Sequence, residues 1–183
     1  MEPEVERRQE RKSDLATQLL NRLKKFKGKK PLIVATSTSS IELAKKIARE
    51  LDGDYHHALV KKLTDPENPM KVIGAVTEWA GIYLTQEALG RGLTPQTLED
   101  LIHPLIEEMQ QYRLKNPMHA DPHKRAMIFI DTGSRTGYRL AAVLQSVKSF
   151  MPKISVVATP EITHRAFALV NNLVDDVIAL KVR

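Results

Sequence analysis

One stretch of the chain, MIFIDTGSRTGYRL at residues 127–140, combines the residue types that bind phosphate. Its apolar, β-forming residues end at Asp131, and a Gly-containing turn leads into a helical pattern. Backbone N–H groups at a helix start are unpaired and favour an anion. Thr136 can donate a hydroxyl to a phosphate, Gly137 has no side chain to hold the backbone away, and Arg139 adds charge. Asp131 could accept hydrogen bonds from sugar hydroxyls or hold Mg²⁺ through water.

An ordinary strand-to-helix turn is the simpler interpretation of the same residues. Asp, Gly and Ser favour turns whatever their function. A short motif of this kind therefore leaves the anion site and the plain turn equally open on spacing alone.

The histidines and serines are weaker candidates for chemistry. His56 and His57 alternate across a predicted strand, so only one faces any given side, and no Cys or acid lies at ligand spacing. His119 and His123 lie with Asp121 in a loop, where general polarity explains them more simply than a metal does. The serines have no Ser-His-Asp order, so a hydrolase is not supported.

The charge of the chain favours anionic partners. The 183 residues carry a formal net charge of +6, and the excess lies partly in RLKKFKGKK at 22–30 and partly at 124–139. Nucleotides, sugar phosphates and nucleic acid all fit such a balance, whereas a solvated surface is the simpler explanation of the 22–30 run. Because Phe, Tyr and Trp make up only 5% of the chain, nucleic acid is weakly supported as a partner.

The composition also limits the class of protein. Hydrophobic residues make up 42% and charged residues 27%, which is typical of a globular chain, and there is no cysteine. No apolar stretch approaches the roughly 18 residues of a membrane span, and the first residues lack the apolar segment of a secretory signal. These features favour a cytoplasmic protein without a membrane partner.

Alternating strands and helices predict an α/β domain of three layers with a largely parallel, twisted sheet covered on both faces. Strands are expected at 31–36, 54–60, 71–77, 81–85, 126–131, 153–159 and 176–180, and a loop at 62–69. Helices are expected from Ser13 to about 27 and at 40–51, 94–115, 137–150 and 163–173, with Pro104 kinking or splitting the third. The strands that end at 36, 60, 131 and 159 are predicted to be central, with their carboxyl ends at one edge.

MIFIDTGSRTGYRL resembles the signature of type I phosphoribosyltransferases, in which four apolar residues and two acids precede Thr-Gly-x-Thr. Asp131 matches the first acid, and Thr136 and Gly137 match the phosphate loop. The stretch 58–84 is similar to a bacterial group of uncharacterised phosphoribosyltransferases, on the matches at Lys61, Lys62, Pro66, Pro69 and Gly74 to Val76. The closing strand-Pro-helix-strand pattern at 153–180 fits that group too, so residues 31–180 follow it with few gaps.

This resemblance implies a fold, a substrate and a set of site residues. The fold would be that of type I phosphoribosyltransferases, and the substrate 5-phosphoribosyl-1-pyrophosphate, here called phosphoribosyl pyrophosphate, with Mg²⁺ as cofactor. Asp131 would be the catalytic residue, facing the ribose hydroxyls and reaching Mg²⁺ through water. The 5-phosphate would be bound by Ser134, Arg135, Thr136, Gly137, Tyr138 and Arg139. The pyrophosphate would be bound by Ser37, Thr38, Ser39, Ser40, Lys61 and Lys62.

The chain departs from the family pattern at three places, and two of these, Thr132 and the STSS loop, favour an alternative function. Thr132 replaces the second acid, Arg139 replaces a Thr or Ser, and the STSS loop at 37–40 lacks the usual Arg and paired glycines. The leading interpretation remains transfer of a phosphoribosyl group to a nitrogenous base. The alternative is a catalytically degenerate protein of the same fold that binds nucleotides or phosphates as a regulator.

The resemblance also divides the chain. Residues 1–30 are predicted to form a basic helical segment. Residues 31–183 would form the phosphoribosyltransferase-like domain, with a hairpin and helical insertion at about 71–120. A homodimer is compatible with this arrangement.

Overall fold

A computed structural model of the protein describes residues 14–183. Residues 1–13 lie outside this range. They include Ser13 and the charged start of the predicted N-terminal segment. Residues 14–23 form helix α1, whose Leu19 and Leu23 are fully buried. The later helices are α2 (Ile41–Glu50), α3 (Gln86–Gly90), α4 (Pro95–Lys115), α5 (Tyr138–Ser146) and α6 (His164–Asn171). The strands are β1 (Leu32–Ala35), β2 (Asp54–His57), β3 (Val60–Asp65), β4 (Asn68–Thr77), β5 (Ile82–Leu84), β6 (Ala126–Ile130), β7 (Ile154–Ile162) and β8 (Asp176–Val182).

The central sheet has five parallel strands in the order β2-β1-β6-β7-β8. Every residue of β1 is buried, and so are four of the five residues of β6, because both strands are covered on two faces. Ala35 is in register with Ile130, so β1 and β6 end at the same edge of the sheet. The expectation that residues 36–40 and 131–139 share one edge is confirmed.

Helices cover both faces of this sheet and make three layers. Alternate residues of each strand point to opposite faces, so Ile33 packs with the cluster that contains α1 and α2. Val34 packs with the cluster that contains α5 and α6. The predicted three-layer α/β fold is therefore confirmed. No helix within residues 14–183 is both long and apolar enough to cross a membrane.

A smaller antiparallel sheet, β3-β4-β5, lies between β2 and β6 in the chain. Its core contains Leu63, Ile73 and Val76 together with Met109 of α4. Helix α5 also packs against β4 and β5 of this smaller sheet. At Gly81 a Cβ atom would come within 2.4 Å of the Ser146 Cβ, so only glycine permits this approach.

Two sequence-based expectations about this region were wrong, and so was one of the two effects expected at Pro104, the split. The predicted strand at 54–60 is divided, since β2 ends at His57 on the edge of the central sheet and Val60 begins β3 in the smaller sheet. The predicted loop at 62–69 belongs mainly to the β3–β4 hairpin, whose turn is at residues 66–67. Helix α4 is not split, because it continues from Pro95 to Lys115 with Pro104 inside it.

Candidate functional site

The crossover connections define where a ligand can enter. From β1 the chain passes through α2 on one face to β2, and from β6 it passes through α5 on the other face to β7. Because β1 and β6 are neighbours, the strand order reverses between them. Open parallel sheets bind ligands in the crevice at the carboxyl ends of the strands beside such a reversal. Residues 36–40 and 131–139 flank this crevice.

The loop after β6 is fixed by hydrogen bonds from Thr163. The Thr163 hydroxyl donates to the Arg135 carbonyl at 2.6 Å, and the Thr163 N–H donates to the Ser134 carbonyl at 3.2 Å. The Ser134 hydroxyl accepts from the Gly137 N–H at 3.0 Å. Among hydrogen bonds within residues 14–183, none uses the N–H of Arg135 or Thr136 as donor. The loop therefore presents two backbone donors next to the free first turn of α5.

Gly137 also has a packing role that the sequence did not indicate. It has φ +75° and stands immediately before α5, a conformation that favours glycine. A Cβ atom there would meet the Ala166 Cα at 3.2 Å and the Leu169 Cδ2 at 3.3 Å. The missing side chain thus allows α6 to pack against the loop. Contact between the Gly137 backbone and a phosphate stays a prediction.

Three cations, one each from strand β3, helix α5 and the loop itself, meet at this loop. Lys62 of β3 faces Arg135 and Arg139 across a cleft of about 330 Å³. None of these three side chains forms an ion pair with a residue of the described chain, and none of the residues that line the cleft is Asp or Glu. This cluster, here called the phosphate cleft, has three free positive charges beside two free N–H groups.

Asp131 directly follows β6 and is 3% exposed. Burial raises the pKa of its carboxyl group. The Arg139 charge and hydrogen bonds from the Thr132 backbone and from the Thr36 and Ser37 hydroxyls only partly offset that rise. Burial disfavours the charged form of an acid, so ionised Asp131 is stabilised by any donor or cation that approaches it.

The hydroxyl groups of the segment after β1 mainly form hydrogen bonds within that segment. Ser37 and Ser40 form a reciprocal capping box, and Ser40 is fully buried. The exposed hydroxyls belong to Thr38 and Ser39. The Ser39 and Thr132 hydroxyls share a hydrogen bond of 2.7 Å, which links the two loops across the crevice.

Lys61 and Lys62 point to opposite sides of β3, as neighbours in a strand must. Lys61 faces a second cleft of about 420 Å³, together with Ser37, Thr38 and Arg139. It forms an ion pair with Glu108 of α4. Arg139 lines both clefts, so the second cleft and the phosphate cleft adjoin at that side chain. The structure therefore separates the two lysines that the sequence assigned to one pyrophosphate group.

The side chain of Tyr138 contacts residues of neighbouring elements. Its ring stacks on the Tyr83 ring with 5.4 Å between centroids, and its hydroxyl accepts from Arg165 at 2.6 Å. The ring joins α5 to β5 and α6, so a contact between Tyr138 and a phosphate would come from its backbone.

Sequence reasoning missed a buried ionic cluster around Glu78. The guanidinium of Arg113 forms two hydrogen bonds with this carboxylate, one of them 2.8 Å long, and also donates to the His57 carbonyl. The Leu59 N–H donates to Glu78 at 2.8 Å, and His56 Nε2 lies 3.3 Å from it. Despite burial, these hydrogen bonds lower the pKa of Glu78 to about 2. The sequence signal that could have indicated this cluster is the position of Glu78 in the turn of a predicted hairpin.

Metal binding by the protein alone is not indicated. Within residues 14–183 there is no group of three or more His, Cys, Asp or Glu side chains that could hold an ion. His123 Nδ1 is 2.7 Å from the Asp121 carboxylate, and His56 stacks on Trp79 at 5.3 Å. Trp79 also contacts the edge of Phe150.

Comparisons with known proteins identify the fold. No protein-family model matches the chain. The protein TT1426 from Thermus thermophilus has a TM-score of 0.74 and 26% identity, over 92% of this chain and 82% of that chain. A purine phosphoribosyltransferase from Pyrococcus horikoshii has a TM-score of 0.54 and 15% identity, over 92% and 81%. A hypoxanthine phosphoribosyltransferase from Staphylococcus aureus has a TM-score of 0.52 and 10% identity, over 93% and 71%. The chain has the type I phosphoribosyltransferase fold.

Proposed function

We propose that the protein binds phosphoribosyl pyrophosphate with Mg²⁺ and transfers its phosphoribosyl group to a nitrogenous base. The observation that carries this proposal is the phosphate cleft, where Lys62, Arg135 and Arg139 meet without a carboxylate. It lies beside Asp131 at the reversal of strand order, where this fold class places its ligands.

The two adjoining clefts suit the two ends of the substrate. The 5-phosphate would lie in the phosphate cleft against the free N–H groups of Arg135 and Thr136. The pyrophosphate would lie in the second cleft near Thr38, Ser39 and Lys61. Asp131 would accept hydrogen bonds from the ribose hydroxyls between them. Charge-assisted hydrogen bonds of this kind are roughly twice as strong as neutral ones.

Mg²⁺ fits this site only as an ion carried largely by the substrate. Asp131 would reach the ion through water, whereas Glu108, which lines the second cleft, is paired with Lys61. Mg²⁺ keeps several waters and is commonly bound by one or two carboxylates together with substrate phosphates, so one acid is sufficient. Bound there, the ion would supply positive charge to the leaving pyrophosphate.

Catalysis would rest on positioning and charge. A ring nitrogen of the base would form a bond to C1 of the ribose as the C1–oxygen bond breaks. The pyrophosphate would leave with the electron pair, and the nitrogen would lose its proton to solvent. Asp131 would stabilise the positively charged sugar, while Lys61 and Arg139 would bind the leaving phosphates. No covalent bond to the protein is needed.

A regulatory phosphate- or nucleotide-binding protein is the second candidate. Thr132 stands where the family has a second acid, and its hydroxyl is engaged with Ser39 at 2.7 Å. The sugar end of the crevice therefore has a single carboxylate, whereas the phosphate end has three free cations. Binding without turnover would follow from that imbalance.

Nucleotide synthesis tests the proposal directly. The protein is incubated with phosphoribosyl pyrophosphate, Mg²⁺ and one of a panel of purine and pyrimidine bases, and nucleotide and pyrophosphate are measured. Transfer to one base class, lost in Asp131→Asn, supports the enzyme. Tight binding of phosphoribosyl pyrophosphate or a nucleotide without product supports the regulator. Absence of both binding and product contradicts both functions.

A further inference from the structure

A second concentration of positive charge lies at the opposite edge of the central sheet. The residues just before β1, β6 and β7 meet there, because these neighbouring parallel strands all begin at that edge. They line a cleft of about 510 Å³, here called the basic cleft. Its cationic residues are Lys25, Lys29, Lys30, Lys124, Arg125 and Lys153.

The walls of the basic cleft are built by specific contacts. The Arg125 guanidinium donates to the Lys30 carbonyl with its Nε at 3.1 Å and to the Pro31 carbonyl at 3.3 Å. It also forms an ion pair with Asp54 at 2.7 Å. The Lys153 N–H donates to the Arg125 carbonyl at 2.8 Å. Arg125, with 18% of its side chain exposed, therefore joins the three segments that carry the charges.

Most of the charges in this cleft are not neutralised by the protein. Lys25 is 3.5 Å from Asp176, but Lys29, Lys30, Lys124 and Lys153 form no ion pair with residues 14–183. None of the lining residues is Asp or Glu. Like charges that converge without a counter-charge repel each other and attract an anion of high charge.

Backbone geometry adds an independent sign of constraint. Lys30 has φ +47° and Lys124 has φ +52°, a region that long side chains rarely adopt. Such conformations persist only where surrounding contacts enforce them, and they concentrate at functional sites. Here both strained lysines line the same cleft.

We propose that the basic cleft is a binding site for an oligophosphate, an anion with several adjacent phosphate groups. Four unpaired ammonium groups match several phosphate charges better than one. The ligand would be recognised by its phosphates and not by a base, since Phe26, the one aromatic residue that lines the cleft, is only 4% exposed. The phosphates could belong to a free polyphosphate, to the tail of a nucleotide or to a single-stranded nucleic acid.

This site is separate from the phosphate cleft and does not depend on the proposed function. The basic cleft lies where β1, β6 and β7 begin, whereas the phosphate cleft lies beyond the point where β6 ends. Oligophosphate binding there would be compatible with an enzyme, with a regulator, or with neither.

Calorimetry with inorganic tripolyphosphate tests the site in the full-length protein. Titrations use a Lys62→Gln/Arg135→Gln background, which removes two cations of the phosphate cleft. We expect binding in this background that weakens steeply with added salt. Adding Lys29→Gln/Lys153→Gln is expected to weaken it by about tenfold or more. These lysines are exposed, so the variants keep the folded core.

A charge-matched variant supplies the control. Lys115→Gln/Lys181→Gln changes two lysines that line none of the clefts described above, and its affinity for tripolyphosphate is expected to stay within about twofold of the background value. An equal loss in both double variants, or no loss in Lys29→Gln/Lys153→Gln, would overturn the proposal. Competition by a short single-stranded oligonucleotide, but not by a nucleoside triphosphate, would identify nucleic acid as the source of the phosphates. The reverse result would identify a small ligand.

Discussion

Two carboxylates are largely withdrawn from solvent. Glu78 follows β4 and has 7% of its side chain exposed, and Asp131 follows β6 and is 3% exposed as a residue. Glu78 accepts hydrogen bonds from Arg113 and from the Leu59 N–H, and its pKa falls to about 2. Asp131 forms no ion pair within the described chain, and burial raises its pKa. The interactions of Glu78 thus outweigh its burial, whereas those of Asp131 do not.

The location of each acid fits its chemistry. Arg113 projects from α4 and also donates to the His57 carbonyl of β2, so the Glu78 cluster fastens the smaller sheet to the edge of the central one. Asp131 is close to Thr36, Ser37 and Arg139, which line the second cleft. Perturbed acids in clefts are candidates for function, whereas acids in complete networks are commonly structural. We therefore propose a role in stability for Glu78 and a role in ligand binding for Asp131.

Removal of Arg113 is expected to have the largest effect on stability. Arg113→Met leaves the Glu78 carboxylate buried without its cation, and breaking such a pair costs about 3–5 kcal/mol. Urea unfolding measures the loss. Lys45→Met, which breaks the exposed pair with Glu42, is the control and is expected to cost at most about 1 kcal/mol. A loss in Arg113→Met as small as that in the control would remove the structural role of the cluster.

Acid unfolding tests Glu78 in a second way. Its folded pKa of about 2 lies below the ordinary 4.5, so its stabilising contribution is complete above pH 4.5 and is lost as the pH falls towards 2. The contribution is on the order of 2–3 kcal/mol. In Glu78→Gln this part of the pH dependence is expected to vanish, with lower stability at neutral pH. Identical slopes for both proteins between pH 5 and 2 would contradict the assignment.

Asp131→Asn is expected to separate binding from stability. Affinity for phosphoribosyl pyrophosphate falls by about tenfold or more, because the ribose hydroxyls lose a charged acceptor. Stability at neutral pH is unchanged or higher, since the raised pKa means that the ionised form is costly in the folded state. Calorimetry and thermal unfolding on the same preparation decide this. A destabilised variant with normal affinity would make Asp131 a structural residue like Glu78.

Thr132→Asp is expected to have the smallest effect and to act through Mg²⁺. The new carboxylate would stand beside Asp131 and Ser39, so affinity for phosphoribosyl pyrophosphate in Mg²⁺ rises by roughly three- to tenfold. Thr132→Asn, of similar size and without charge, is the control. Equal affinities for the Asp and Asn variants would show that a second acid adds nothing at this position.

The sequence predicted the parts of the molecule that depend on local pattern. Continuous apolar runs located β1 and β6, and the turn chemistry after Asp131 located the loop between β6 and α5. The β3–β4 hairpin was missed because Pro66 and Pro69 indicate a loop locally. Pro66 occupies the turn itself, and Pro69 lies near the start of β4, where a missing N–H is tolerated.

Clusters assembled from distant segments could not be predicted from the sequence. Glu78 meets Arg113 across 35 positions of the chain, and the basic cleft joins residues 25–30, 124–125 and 153. Only the order of the parallel strands brings the second set together. Lys61 and Lys62 are separated by a different cause, since neighbouring side chains of β3 point to opposite sides, and their shared role looked plausible while β3 was unrecognised.

Calorimetric titration of phosphoribosyl pyrophosphate, with and without Mg²⁺, tests the phosphate cleft most directly. We expect the wild-type protein to bind, and Lys62→Gln/Arg135→Gln to lose about tenfold or more in affinity. Lys115→Gln/Lys181→Gln, with the same change in net charge, is expected to bind like the wild type. Equal affinities for all three proteins would contradict the central claim that the loop after Asp131 and the cations facing it form the ligand site.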